Sequence, residues 1–321
     1  MSRSGTAAPA ATTGPAGRRG GATTAPRPGL RSARLREGLV GWAFLGPNLV
    51  LLVTFLVVPI LGALVLSLQQ TRGFGDPEWV GLQNYARMVT DAAFWQSFGN
   101  TVVFTVVTVP LEMALGLGLA VLLDGVLPGQ RVWRTLIVLP LVISGVASAM
   151  IAVILFTEAN GLVNQVLGAV GVGGVPWQSD GTLAMVSVIV TMVWLRVGLN
   201  MIVYLAGLQG VSPELHEAAE LDGANAAQRF RSITLPLVGP STFFLLVLNV
   251  IASFQVFDLV FVMTGGGPGY STSVLGTYAY RNGFEIREQG YGAALGVVIL
   301  VVTLLFTVVQ WRTNRTRDLT E

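Results

Sequence analysis

The chain has 321 residues, of which 52% are hydrophobic and only 11% charged, with a net charge of +2 and a mean hydropathy of +0.67. Soluble globular chains carry about a quarter charged residues, so this is the composition of an integral membrane protein, and so small a charge argues against nucleic acid as a partner. Cysteine is absent and His216 is the one histidine, which excludes disulfide frameworks, thiolate or His-rich metal sites and most Ser-His-Asp arrangements.

All 19 basic residues are arginine. An ordinary phosphate-binding loop needs a lysine to reach the β- and γ-phosphates. If ATP drives this protein, another polypeptide hydrolyses it, and the chain itself is expected to bind no cofactor and to perform no catalysis.

In chain order, residues 1–36 are rich in Ala, Gly, Pro, Thr and Arg without an apolar period, and read as a disordered cytoplasmic tail. No short apolar region with a small-residue cleavage site follows the arginines at signal-peptide spacing. The first apolar run, 42–68, exceeds the roughly 20 residues that a crossing needs, and Pro47 and Pro59 predict bends within it. A loop over 69–96 carries Trp79, Tyr85 and Trp95 as interfacial aromatics. Further spans are predicted over 98–123, 134–156, 182–208, 237–264 and 291–311. The expectation is an all-α membrane protein with six spans.

Arginine placement orients those spans. Fourteen arginines fall on one side: Arg3, Arg18, Arg19, Arg27, Arg31, Arg34, Arg36, Arg131, Arg134, Arg229, Arg231, Arg312, Arg315 and Arg317. Four fall on the other, Arg72, Arg87, Arg281 and Arg287, and Arg196 lies within a span. Both termini are therefore expected in the cytoplasm, together with the polar segment between spans four and five.

That segment, 212–236, has helix grammar suited to water. Ser212 is placed as an N-cap, Pro213 suits the first helical position, and Glu214 complements the positive helix end. Gly223 fits a left-handed cap, Asn225 with Gln228 predicts a capping box, and Pro236 is expected to stop the second helix. Carboxylates lie on one surface, and Ala218, Ala219 and Ala224 leave room for close approach on another. An ordinary amphipathic connection is the plain alternative.

Ionisable groups at membrane depth cost about 2.5–3.5 kcal/mol each on insertion scales and mark functional candidates. Glu112, Arg196 and Asp258 are such groups; the first two fall about fourteen residues from the outer ends of spans running the same way, hence at similar depth. They either pair and hold helices together, or Arg196 faces the solute. In span five, Asn249, Ala252, Ser253 and Val256 follow an i, i+3, i+4, i+7 spacing and so are predicted to share one face. Such a face suits the hydroxyls and ring faces of a polyhydroxylated ligand, with core packing as the alternative.

Glu217-Ala218-Ala219, Asp222-Gly223-Ala224, Phe230, Ile233 and Leu235-Pro236 together resemble the EAA loop of binding-protein-dependent ABC importer permeases. Phe257-Asp258, the Thr264-Gly265-Gly266-Gly267-Pro268 run, the segment from Tyr278 to Tyr280, Leu139-Pro140 and Trp177 are similar to the carbohydrate-uptake branch. The likeness covers a permease core over 94–311, with 37–93 fitting more loosely; the tail over 1–36 falls outside it, and 312–321 reads as a second cytoplasmic tail.

It implies the type I importer fold and docking of Glu217, Ala218, Ala219, Asp222, Gly223 and Ala224 on a cytoplasmic ATPase. It places solute near mid-membrane at Leu141, Gly145, Leu195, Arg196, Leu199, Asn249, Ala252, Ser253 and Val256. The implied partners are a second homologous permease, two ATP-binding subunits, an extracytoplasmic solute-binding protein and the lipid of a prokaryotic cytoplasmic membrane. Few aromatics stand at the solute positions, and an arginine stands where a small residue is the pattern. A permease for polyamine, phosphate or amino acid, or an ion-coupled secondary transporter, is the alternative.

Overall fold

The computed structural model describes residues 42–71, 75–125 and 128–315; the tail read over 1–36, Arg72 and Arg317 lie outside them. Chain contacts divide the protein into a unit ending at Val58 and a second unit from Pro59 onward. The described part of the first unit is helical and has no buried residue. Its ladder widens to a π register over Val53–Val57, with the Val58 N–H donating to the Val53 carbonyl. This wide turn stands directly before Pro59, which has no N–H to give. The whole helix, α1, runs over Trp42–Ser67.

The rest of the second unit begins with a short antiparallel ladder of β1 (Gln69–Gln70) and β2 (Glu78–Trp79), with Gln69 opposite Trp79. The segment expected to be loop then forms a helix, α2 (Gln83–Thr90). Asp91 caps the 33-residue α3 (Ala92–Asp124), its carboxylate accepting from the Ala93 and Phe94 amides. The third predicted span is broken. α4 (Gln130–Val142) and α5 (Gly145–Leu155) meet at 102°, because Ile143 and Ser144 are extended and Ser144 opens a new helix by capping the Ala147 amide.

After α6 (Leu162–Ala169), Asp180 caps α7 (Gly181–Gln209). The polar segment supplies α8 (Pro213–Leu221) and α9 (Ala226–Leu237), and α10 (Gly239–Phe254) leaves α9 at 64°. The predicted fifth span is also not continuous: α10 ends at Phe254, and α11 (Asp258–Thr264) starts afresh. At the break, Gly276 approaches the Val256 carbonyl, and the Phe257 ring packs on Phe261 and Tyr280. Then come α12 (Leu275–Tyr280), a π turn over Arg281–Glu285, and α13 (Gln289–Arg315). Among the described residues, four helices are long and apolar enough to cross a membrane, and the two bent pairs raise the count to as many as six.

Glycines set the closest helix contacts. A Cβ on Gly116 of α3 would stand 2.4 Å from the Asn200 Cβ of α7, and one on Gly198 would stand 2.5 Å from the Ile137 carbonyl of α4. Around these contacts Ala120, Leu123, Met201, Tyr204 and Leu208 form a core; a second core joins Phe104, Ala149, Val188, Met192, Val256 and Val260. Asn100 of α3 donates to the Tyr270 carbonyl at 2.8 Å, and Gly181 of α7 lies against Ser271. The N-terminal parts of α3 and α7 therefore share one end of the bundle, and the 212–236 segment follows the opposite end of α7.

Candidate functional site: a polar elbow and a buried ion-pair network

The 212–236 segment folds as two short helices around Gly223. That residue takes φ +83°, a region open to glycine at little cost. Its N–H reaches the Glu220 carbonyl at 3.0 Å, and the Ala224 N–H reaches Ala219 at 2.9 Å, the paired bonds of a Schellman cap. The predicted capping box is present: the Gln228 N–H donates to Asn225 at 3.0 Å and the Asn225 N–H to the Gln228 side chain at 2.8 Å.

Two details differ from expectation. Ser212 occupies the N-cap position, but its side chain makes no capping bond; the Leu215 amide bonds the Ser212 carbonyl instead. Pro236 does not stop α9, which continues through Leu237. The ladder has already widened to a π register over Phe230–Thr234, so the proline is accommodated inside the last turn.

No residue of α8 is buried. Glu217, Ala218, Asp222 and Gly223 are exposed, Ala219 and Ala224 half-buried, and Leu221 is 90% exposed. An ion pair of 2.6 Å between Glu220 and Arg229 ties the two helices, worth about 1 kcal/mol or less at such exposure. The elbow thus presents a locally bonded, apolar-tipped surface in which no described residue of α8 is buried.

The second feature lies inside the bundle. The Arg196 Nε stands 3.6 Å from the Glu112 carboxylate, whose side chain is 2% exposed against 21% for Arg196. Arg196 also donates to Asn249 Oδ1 at 3.1 Å, Asn249 donates to Asn200 Oδ1 at 2.7 Å, and Asn200 donates back to the Arg196 carbonyl at 3.1 Å. Glu112 on α3, Arg196 and Asn200 on α7, and Asn249 on α10 thereby form one network across three helices. Such a pair is weakly stabilising while intact and costly to halve, because the remaining group is left buried without its partner.

The sequence-predicted solute positions separate into groups. Arg196 and Asn249 belong to the network. Leu195, Ala252 and Val256 pack into the apolar core beside Val188 and Met192. Val256 lies beyond the end of α10, so it does not continue the predicted helical stripe. Ser253 is buried and donates to Thr105 Oγ1 on α3 at 2.9 Å. The polar side chains of that stripe are thus spent between helices of this chain. Leu141 is exposed, and Leu199 is half-exposed. Half-buried Gly145 opens α5, where a Cβ would collide with the Asp258 carboxylate. Asp258 is accordingly half-buried against a helix start.

Residues that the sequence did not single out complete the picture. Asn200 stands four residues from Arg196, a spacing that places both on one helix face and could have revealed it. At the opposite end from the elbow, Asp91 Oδ2 accepts from the Tyr278 hydroxyl at 2.5 Å and the Tyr291 hydroxyl at 2.6 Å. Arg87 pairs with Glu288 at 2.6 Å and lies 4.3 Å over the Tyr291 ring. Burial alone would raise the Asp91 carboxyl, but bonds from Tyr278, Tyr291 and the Phe94 and Ala93 amides outweigh it and hold it below the usual range. Burial, then the bond to Asp91, pushes Tyr278 up to about 12.

Comparison with known proteins bears on both features. Residues 112–316 match the family described as binding-protein-dependent transport system inner membrane component. The chain is 34% identical over 285 residues to the trehalose/maltose transport system permease protein MalF of Thermococcus litoralis, covering 88% of this chain and 96% of that protein. It is 35% identical over 289 residues to the sulfoquinovosyl glycerol transport system permease protein SmoG of Agrobacterium fabrum, covering 88% and 93%. In fold it is similar to a chain of a bacterial ABC transporter involved in import of the acidic polysaccharide alginate, with TM-score 0.78 and 24% identity over 89% of this chain and 98% of that one. The elbow and all four residues of the ion-pair network fall within the matched residues, and this chain belongs to the family of binding-protein-dependent transport system inner membrane components.

Proposed function

We propose that this chain is the permease subunit of an ATP-driven importer that moves a sugar or oligosaccharide across the cytoplasmic membrane by alternating access. The observation that carries the reading is the elbow: a pair of short helices at one end of a membrane bundle, with no residue of α8 buried. That is what a separate ATP-hydrolysing subunit would grip. The arginine bias puts this end in the cytoplasm, with both termini beside it. Names of relatives that carry trehalose or maltose and sulfoquinovosyl glycerol support a carbohydrate solute.

In this reading the chain pairs with a second homologous permease, two ATPase subunits bind below, and a solute-binding protein delivers from outside. Glu217, Ala218, Ala219, Asp222, Gly223 and Ala224 transmit ATPase closure to α7 and α10. Two conformations can be switched in this way only through contacts that differ between them. Arg196, with Leu141, Gly145, Leu195 and Leu199, faces solute when the break between α4 and α5 and the bundle reorient. Asn249 aims the guanidinium, while Ala252, Ser253 and Val256 back the pathway from inside the chain.

Uptake of labelled maltose, trehalose and lactose by cells expressing the complete transporter tests the proposal. Uptake that stops on ATP depletion and survives a proton ionophore supports it; uptake that follows the ionophore instead would favour an ion-coupled carrier and refute it.

A further inference from the structure

α2 (Gln83–Thr90) was not foreseen as a helix, and its eight residues divide into three sectors at about 100° per residue. Asn84 and Met88 are buried and Tyr85 partly so. Asn84 donates to the Ser67 and Gln69 carbonyls at 2.8 and 2.9 Å, and Met88 packs with Tyr278 and Tyr291. Gln83, Arg87 and Thr90 form an exposed polar sector. Between these lies a third sector at spacing i, i+4, i+7: Leu82 at the N-cap, Ala86 and Val89, all exposed.

That apolar edge is continuous with membrane-spanning surface. The Trp95 indole, in the first turn of α3, donates to the Val89 carbonyl at 2.9 Å. Trp95 is 52% exposed, and further along α3 Val103 and Val106 are 54% and 64% exposed. An indole at the end of an apolar exposed stripe sits by preference at headgroup level. We infer that α2 lies flat on the bilayer, with Leu82, Ala86 and Val89 seated in the lipid headgroup layer on the membrane face opposite the elbow. The geometry satisfies all three sectors at once: protein on one side, lipid beneath and water above. Through Asn84, Arg87 and Met88 the helix would hold the adjoining ends of α1, α3 and α13 at a fixed depth.

The chain has no cysteine, so single labels are clean. Nitroxides at Ala86→Cys, Val89→Cys, Gln83→Cys and Thr90→Cys, in the full-length chain in phosphatidylethanolamine/phosphatidylglycerol liposomes, report collisions with oxygen and with a water-soluble nickel chelate. All four positions are exposed, so the packing of Asn84 and Met88 is left intact. Labels at 86 and 89 are expected to favour oxygen and to report a depth of about 5–10 Å at the headgroup/acyl boundary, while those at 83 and 90 favour the chelate. Equal chelate access at all four positions overturns the inference, and so does shielding of 86 and 89 from both reagents, which would put protein on that face.

Discussion

The two ends of the bundle are held in opposite ways. The elbow is built from bonds between near neighbours: Gly223 to Glu220, Ala224 to Ala219, and Asn225 with Gln228. The far end is closed by bonds across long stretches of chain, from Asp91 to Tyr278 and Tyr291 and from Arg87 to Glu288. A locally determined element keeps its shape while exposed, as a docking surface must. A knot of distant residues instead fixes where helices stand relative to one another.

The largest effect is expected at the elbow. Asp222→Lys or Gly223→Pro should reduce uptake to background while membrane insertion, read by blotting of washed membranes, stays normal. Substantial transport by either variant would break the assignment of the elbow to coupling. Next comes the network between the two ends. Arg196→Ala strands the Glu112 carboxylate and should cost about 3–5 kcal/mol, read as lowered thermal stability in detergent, with partial recovery in Glu112→Gln/Arg196→Ala. If the double variant is no better than the single one, the pair is not the source of the cost.

The knot should be pH-sensitive from both directions. The Asp91 carboxyl is held low, so its contribution is complete above the ordinary carboxylate range and is lost as pH falls through the lowered value. Tyr278 is raised from 10.0 to about 12, so its contribution is present below 10 and lost as pH rises toward 12. Tyr278→Phe should cost about 1.5–3 kcal/mol, the range for a bond to a charged group, and should flatten the acid limb of the stability profile; an unchanged limb would assign the acid loss to other groups. The smallest effect belongs to Glu220→Gln, expected to change stability by less than about 1 kcal/mol and to leave uptake intact.

What the sequence made legible follows the same division. Gly223, Asn225 and Gln228 announce their caps because each bonds within a few positions of itself. The spans were legible from apolar length alone, and Glu112 and Arg196 from the cost of charge at depth. The breaks were not. Nothing local in the apolar run around Val256 says that Gly276 will press on its carbonyl, and the turn between α4 and α5 depends on Ser144 capping and on Asp258 seated at Gly145. The same limit explains the stripe through Asn249 and Ser253: periodicity placed both on one face, but only the fold shows that face turned toward α7 and α3.

The most direct test of the central claim is the sidedness of the elbow. With Glu217→Cys as the sole cysteine, a membrane-impermeant maleimide applied to intact cells should leave the protein unlabelled and should label it once the membrane is opened. Labelling from outside intact cells would place the elbow away from any cytoplasmic ATPase and contradict the account.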